Sequence, residues 1–260
     1  MKKIMFHSLF VVFMVSMLVA CGSEGEDTTS ASNDSEDKEI LKMATSADFP
    51  PFESYDTEGN FEGFDIELAH AIANELGYDL EIEDMNFDGL IGALQAGRVD
   101  MVMAGMSATE ERSKNVDFSK EYHRSGEMLI SKPDAEVNSL EDLEGKIVGV
   151  QLGTIQEEGA ETLSEEYGFE VKKVDDSSVL VQELNSNRID VAYMDKTVAV
   201  GYMDSQGFVG FDDPTTSSPG MGIAFPKGSE LVEEVNAILE ELEASGKIDE
   251  LKDQWLSEYE

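Results

Sequence analysis

The chain has 260 residues, with 56 Asp and Glu against 18 Lys and Arg, a formal net charge of −38 and 41% apolar residues. Such a field repels nucleic acid and anionic lipid, which excludes both as partners of the folded surface, and it suits a salty or alkaline exterior where self-repulsion is screened. A single cysteine, Cys21, excludes an internal disulfide.

The first segment reads as an address. Lys2 and Lys3 precede an apolar run broken by His7, Ser8 and Ser16 and closing on Leu18-Val-Ala-Cys21, which has the form of a secretory signal rather than of a membrane span. Leu-Val-Ala-Cys followed by Gly22 resembles the lipobox of bacterial lipoproteins, which implies removal of residues 1–20 and lipidation of Cys21 at its thiol and amino group. Residues 21–38, dominated by Ser, Thr, Asp, Glu and Gly, read as a flexible acidic tether. The expected location is outside the cytoplasm, held to the cell membrane by the lipid, with no second membrane span.

From residue 41 the order of elements repeats. Apolar spacing predicts a strand over 41–45, a helix over 64–76, a strand over 80–83, a helix over 87–96 and a strand over 99–104. The second copy is a strand over 146–150, a helix over 155–167, a strand over 169–174, a helix over 177–187 and a strand over 189–194. Leu90-Ile-Gly-Ala-Leu-Gln-Ala-Gly-Arg-Val-Asp100 aligns with Leu180-Val-Gln-Glu-Leu-Asn-Ser-Asn-Arg-Ile-Asp190, each a helix ending on an Arg-Val/Ile-Asp turn into a strand. Two βαβαβ units make an α/β protein of two lobes. In open parallel sheets ligands bind beyond the carboxyl ends of the strands, so residues 45–49, 105–112, 151–156 and 194–196 are expected around one cleft.

Ala104-Gly-Met-Ser-Ala-Thr-Glu-Glu-Arg112 follows a strand with small residues, hydroxyls and a capped helix start. Free backbone N–H groups at Ser107, together with the planar fork of Arg112, suit a carboxylate. A surface arginine paired with Glu110 or Glu111 fits the same residues. With Asp195 in the opposite lobe as acceptor for an ammonium, the cleft contains what a zwitterion needs. Asp48, Glu53 or Asp84 is a candidate acceptor for the far end of a cationic side chain.

Phe49-Pro-Pro-Phe-Glu53, Gly63-Phe-Asp-Ile-Glu-Leu-Ala69, Phe87-Asp-Gly-Leu-Ile91, Gly105-Met-Ser-Ala-Thr-Glu-Glu-Arg112, Val116-Asp-Phe-Ser119 and Gly149-Val-Gln-Leu-Gly-Thr154, in this order, resemble the polar amino-acid solute-binding proteins of ABC importers. The resemblance implies a type II periplasmic-binding-protein fold, with two lobes joined by two hinge strands near 122–125 and 217–222. Lobe 1 is then 39–123 with 222–260, and lobe 2 is 124–221. It further implies that Arg112 and the backbone at Ser107 and Thr154 hold the α-carboxylate, that Asp195, the Ser107 hydroxyl and the Gly105 carbonyl take the α-ammonium, and that Phe49 and Phe87 sandwich the side chain. Selectivity falls to Ser46, Asp48, Glu53, Gln151 and Gln156. Ile155 stands where many relatives have a second threonine. The motifs are most similar to arginine-binding members, so arginine is the first expected ligand, then lysine, with glutamine or histidine as runners-up. The expected partners are this free amino acid and an importer permease, and a monomer is expected.

His70 and His123 lack metal-ligand spacing, so neither a metal nor a cofactor is expected. No Ser/His/Asp or Cys/His arrangement suggests a nucleophile. A dehydratase-like enzyme on this fold would need Glu53 or Asp48 as general acid or base, whereas Arg112 and Asp195 together consume both ligand charges in ground-state binding, so a binding protein and not an enzyme is expected. Met106 is expected near enough to the cleft to touch a ligand.

Overall fold

A computed structural model describes residues 38–216 and 218–259. The signal, Cys21 and the tether up to residue 37 lie outside the described residues. Among the described residues, no helix is long and apolar enough to cross a membrane.

The first half contains β1 (Ile40–Thr45), β2 (Ser54–Tyr55), β3 (Phe61–Glu62), α1 (Phe64–Leu76), β4 (Asp79–Asp84), α2 (Leu90–Gln95), β5 (Met101–Val102), α3 (Glu110–Ser113) and β6 (Val116–His123). There follow β7 (Glu127–Ser131), β8 (Ile147–Gln151), α4 (Ile155–Tyr167), β9 (Glu170–Val174), α5 (Ser177–Asn185), β10 (Val191–Asp195), α6 (Lys196–Gln206) and β11 (Val209–Asp212). The chain ends with β12 (Met221–Pro226), α7 (Leu231–Ala244) and α8 (Lys247–Trp255).

Two five-stranded sheets run in the orders β4-β1-β5-β12-β6 and β11-β7-β10-β8-β9. In the first, β1 pairs parallel with β4 and β5, while in the second β8 pairs parallel with β9 and β10. Each parallel trio is the predicted βαβαβ unit with its first strand in the middle. Antiparallel strands, β12 with β6 and β7 with β11, complete the sheets. The chain therefore passes from the first sheet to the second after β6 and returns before β12.

Helix α1 forms where predicted because Phe64, Ile66, Leu68, Ala69, Ile72 and Ala73 make one buried face, and Gly77 ends it in the left-handed conformation. Helix α4 begins at Thr154, whose hydroxyl accepts from the Glu157 N–H, and ends at left-handed Gly168. Met43, Phe52, Phe64, Met101, Ile223, Phe225 and Leu251 are fully or almost fully buried; each such side chain contributes about 1.5–3 kcal/mol relative to exposure.

The aligned Arg-Val/Ile-Asp turns are a true structural repeat. Gly97 and Asn187 occupy the left-handed region at φ 66° and 56°. In both copies the following aspartate staples the first strand: the Lys42 N–H donates to Asp100 Oδ2 and the Asp100 N–H to Lys42 O, each at 2.8 Å. Ile147 and Asp190 exchange the same two bonds at 2.8 Å.

Three predicted elements end before their expected limits. The helix over 87–96 opens as a single 3₁₀ turn, Phe87–Gly89, before α2, and the helix over 177–187 stops at Asn185 so that Asn187 can turn. The strand over 99–104 shrinks to β5: the Met103 N–H makes the last bond to β1, at Ala44 O, and the Gly105 N–H turns aside to the Asp65 carboxylate at 2.9 Å. With φ at 53° at Gly105 the chain swings Met106 into the core, where it is 1% exposed. Met106 therefore does not reach the cleft.

Candidate functional site

Where the carboxyl ends of the two parallel trios face one another lies a cavity, the place where open parallel sheets bind small molecules. Ser46, Asp48, Phe49, Glu53, Phe87, Gly105, Ser107, Arg112, Gln151, Thr154, Gln156 and Asp195 all line it, joined by Ala104 and Ile155. The twelve residues assigned from the sequence to ligand binding or selectivity thus meet around one space, while Met106 and Asp84 stay outside it.

One wall is the turn Phe49-Pro-Pro-Phe-Glu53. Phe49 and Glu53 bond each other's backbones in both directions, at 2.9 and 3.2 Å, which sets their side chains toward the cavity while Phe52 is buried behind. Phe49 lies so close to Gly105 that a Cβ there would sit 2.8 Å from its ring.

Arg112 is neither exposed nor paired with Glu110 or Glu111. Its guanidinium donates to Ser107 O at 2.8 Å and to Gly153 O at 2.9 Å, and lies 5.3 Å from the centre of the Phe87 ring. Burial lowers its pKa to about 10, which leaves it charged. Thr109 caps α3 through the Arg112 N–H. Among the described residues the N–H groups of Ser107 and Thr154 have no protein acceptor, so two main-chain donors flank the guanidinium. The Thr154 hydroxyl itself is turned back to Gln151 O at 2.7 Å.

Asp195 caps α6. Its Oδ1 accepts from the Thr197 N–H at 2.8 Å and the Ser125 hydroxyl at 2.9 Å, and burial nonetheless raises the carboxyl to about 6 against the pull of these donors. Glu127, opposite Asp195 in the β7/β10 ladder, is raised further to about 8 by burial and by the Asp195 charge. The amide nitrogen of Gln156 donates to Glu127, and that of Gln151 to Asp48 Oδ2 at 2.9 Å. Each glutamine therefore reaches the cavity with one of its two amide N–H donors engaged. Asp48 also accepts from the Ser46 hydroxyl at 3.0 Å and the Ser177 N–H at 2.6 Å, while burial raises its pKa to about 6.

Glu53 differs from the other acids. It is fully buried, no protein donor reaches either oxygen, and burial together with the Asp65, Asp48 and Asp195 charges raises its pKa well above the usual carboxylate range.

Sequence reasoning passed over Asp65, Ser125, Glu127 and Thr197. An acid in the strand Glu-Met-Leu-Ile-Ser, every residue of which is buried, was the available signal for Glu127. Asp65, an acid in the first turn of α1, offers no such signal. Among the described residues, no group of three or more His, Cys, Asp and Glu is placed to hold a metal ion. His70 is exposed, and His123, buried against Phe52 with ring centres 5.3 Å apart, has its pKa lowered to about 4 and is neutral.

The chain is 46% identical over 244 residues to the "Arginine-binding extracellular protein ArtP" of Bacillus subtilis, covering 92% of each protein. It resembles the structure of "An ancestral arginine-binding protein bound to arginine" with a TM-score of 0.81 and 42% identity, over 85% of this chain and 100% of that one. A second structure, "An ancestral arginine-binding protein bound to glutamine", matches with a TM-score of 0.79 and 42% identity, over 83% of this chain and 97% of that one. Residues 41–258 match the pattern of the bacterial extracellular solute-binding proteins, family 3. With the two sheets, the facing loops and the cleft between them in accord with that match, the chain belongs to this family and has its type II periplasmic-binding-protein fold.

Proposed function

We propose that the protein is an extracytoplasmic receptor that captures a basic amino acid, arginine first, and delivers it to the permease of an ABC importer. The observation that carries the reading is the charge balance of the cavity: the carboxyls of Asp48, Glu53 and Asp195 face a single cation, Arg112. A zwitterion with a cationic side chain complements this set, its carboxylate on Arg112 and the Ser107 and Thr154 N–H groups, its ammonium on Asp195, Ser107 and Gly105. Its guanidinium lies between Phe49 and Phe87 with Glu53 as terminal acceptor. Ser46, Asp48, Gln151 and Gln156 set the shape of the pocket. The names of the related proteins support arginine.

Glutamine is the second reading. A protonated Glu53 donates to a side-chain amide, and one of the similar structures holds glutamine. A thermal-shift panel of arginine, lysine, histidine and glutamine decides: a ligand at 100 times its dissociation constant adds about 2.7 kcal/mol. Stabilisation by glutamine but not by arginine or lysine discards the basic-ligand assignment and keeps the receptor.

Lobe 1 (39–123 with 222–260) and lobe 2 (124–221) close over the ligand, and the use of Arg112 and Asp195 to hold both of its charges supports transport rather than catalysis. Asp48, tied to Ser46, Gln151 and Ser177, is a poor general base. The protein acts as a monomer held to the membrane by lipid on Cys21. Cys21→Ser is expected to move it to the soluble fraction, and retention in the membrane would remove the lipid anchor from this account.

A further inference from the structure

Behind the cavity wall a second acid faces Glu53. Asp65, in the first turn of α1, is also fully buried, and its main-chain N–H donates to Phe52 O at 2.9 Å, which sets it beside Glu53. Asp65 Oδ2 accepts from the Gly105 N–H at 2.9 Å and the Tyr122 hydroxyl at 2.8 Å. Asp65 Oδ1 and both oxygens of Glu53 have no protein donor. A single proton between the two side chains gives these buried oxygens a hydrogen bond, whereas two adjacent buried carboxylates both ionised would face repulsion and desolvation together.

We propose that Glu53 and Asp65 share one proton before ligand capture and release it when a cationic side chain enters, so that binding a basic amino acid expels a proton which binding glutamine leaves in place. The inference rests on the arginine reading above. The Asp65 charge is held by its two donors, so the proton resides on the Glu53 oxygen. Entry of a guanidinium breaks that O–H bond; the proton passes to solvent and the carboxylate pairs with the ligand. Only the proton moves, and no redox partner is involved.

Among the described residues, the charges that act on Glu53 are all acids; Lys252, on α8, acts on His123 instead. Around Glu53 stand Asp48 on the loop after β1, Asp65 on α1, Tyr122 on β6 and Asp195 at the end of β10, all acidic or neutral. His123, next to Tyr122, is neutral. Arg112, across the cavity, is engaged with Ser107 and Gly153. Burial raises both members of the pair, and Glu53 the more strongly because Asp65 repels its charge. Asp195 and Glu127 also shift their protons when an ammonium arrives. That response is common to every amino acid and cancels between ligands.

Calorimetry of L-arginine and L-glutamine near pH 7, in phosphate and in Tris, reads the protons released from the dependence of heat on buffer ionisation. We expect arginine to release up to one proton more than glutamine, and arginine affinity relative to glutamine to rise by up to about tenfold per pH unit below the pair's titration. In Asp65→Asn the amide still accepts from Gly105 or Tyr122 and donates to Glu53; arginine binds and the extra proton disappears. Equal proton counts for the two ligands, with a flat affinity ratio across pH 5 to 8, overturn the shared proton and leave the arginine receptor standing. An extra proton that persists in Asp65→Asn overturns the role of Asp65. Absence of arginine binding while glutamine or histidine binds removes the arginine reading, and this inference falls with it.

Discussion

The main-chain N–H of Ser177, at the start of α5, donates to Oδ2 of Asp48 at 2.6 Å, and the Ser177 hydroxyl donates to the Asp48 carbonyl. A loop following β1 thus rests on a helix start in the other sheet's half of the molecule, with Gln151 as a second tie. A carboxylate at a helix N-terminus is worth about 0.3–1 kcal/mol, and up to about 2 where partly buried. Asp48→Ala is therefore expected to shift the unliganded protein toward a wider separation of the two lobes by roughly five- to thirty-fold in population, from about 1–2 kcal/mol. Small-angle scattering reads this as a larger radius of gyration without ligand and a wild-type value at saturation. An unchanged radius would show that Asp48 does not hold the lobes.

Arg112→Met removes a charged donor to two backbone carbonyls as well as the fork offered to a carboxylate. We expect amino-acid affinity to fall about 100-fold or more, from the roughly 3 kcal/mol attached to a charge-assisted pair. Stability should fall too, since Gly153 O and Ser107 O lose their partner, but by only a few degrees in Tm. Calorimetry and a melting curve on one sample separate the two effects. Full affinity in the variant excludes Arg112 from the site.

The acidic lining gives an unusual pH profile. A carboxyl whose folded pKa is raised remains protonated in the folded chain while the unfolded chain has lost its proton, so unfolding releases a proton and stability falls as pH rises between the two values. That window runs from 3.8 to about 6 for Asp48 and Asp195 and from 4.5 to about 8 for Glu127. Without ligand, the protein is expected to melt at a higher temperature at pH 5.5 than at pH 8, and saturating arginine should shrink the difference. A Tm that rises with pH would contradict the assignment of these carboxyls.

Asn187 holds a left-handed conformation at the position that Gly97 fills in the other repeat. The left-handed region costs most residues about 1–2 kcal/mol. Asn187→Gly should leave denaturant stability nearly unchanged, although the side chain's bond from Lys132 at 2.9 Å is lost. Asn187→Val should cost at least about 1 kcal/mol. Equal effects of the two substitutions would place the loss in the Lys132 contact.

The net charge of −38 predicts a salt response. Raising ionic strength toward 1 M shortens the screening length to about 3 Å, so Tm should climb steadily from low to molar salt. A curve independent of salt would defeat the expectation of an acidic surface adapted to brine.

Much of the fold was legible because its signals are local. Helices over 64–76 and 155–167 coincide with α1 and α4, each closed by a glycine that must turn left-handed. The loops that line the cavity were legible because strand ends in parallel sheets converge. Distance along the chain hid the rest. The bond from Arg112 to Gly153 spans 41 residues and decides, against the alternative of a surface pair with Glu110 or Glu111, that the guanidinium lines the cavity. Asp65 carried no sequence mark of its burial, since an acid in a first helical turn is favoured in water as well. The early end of β5 depended on that same Asp65 capturing the Gly105 N–H.

The placement of β12 between β5 and β6 governs the order in which the molecule can assemble. The strands of the second sheet, β7 to β11, are contiguous in the chain and can pair as soon as residue 212 is available. The first sheet must wait with an open seam for a strand that arrives after the other sheet is finished, exposing the edges of β5 and β6 in the interval. A chain appearing from its N-terminus therefore completes its second lobe first, and its earliest residues remain the most exposed to mispairing until nearly the last.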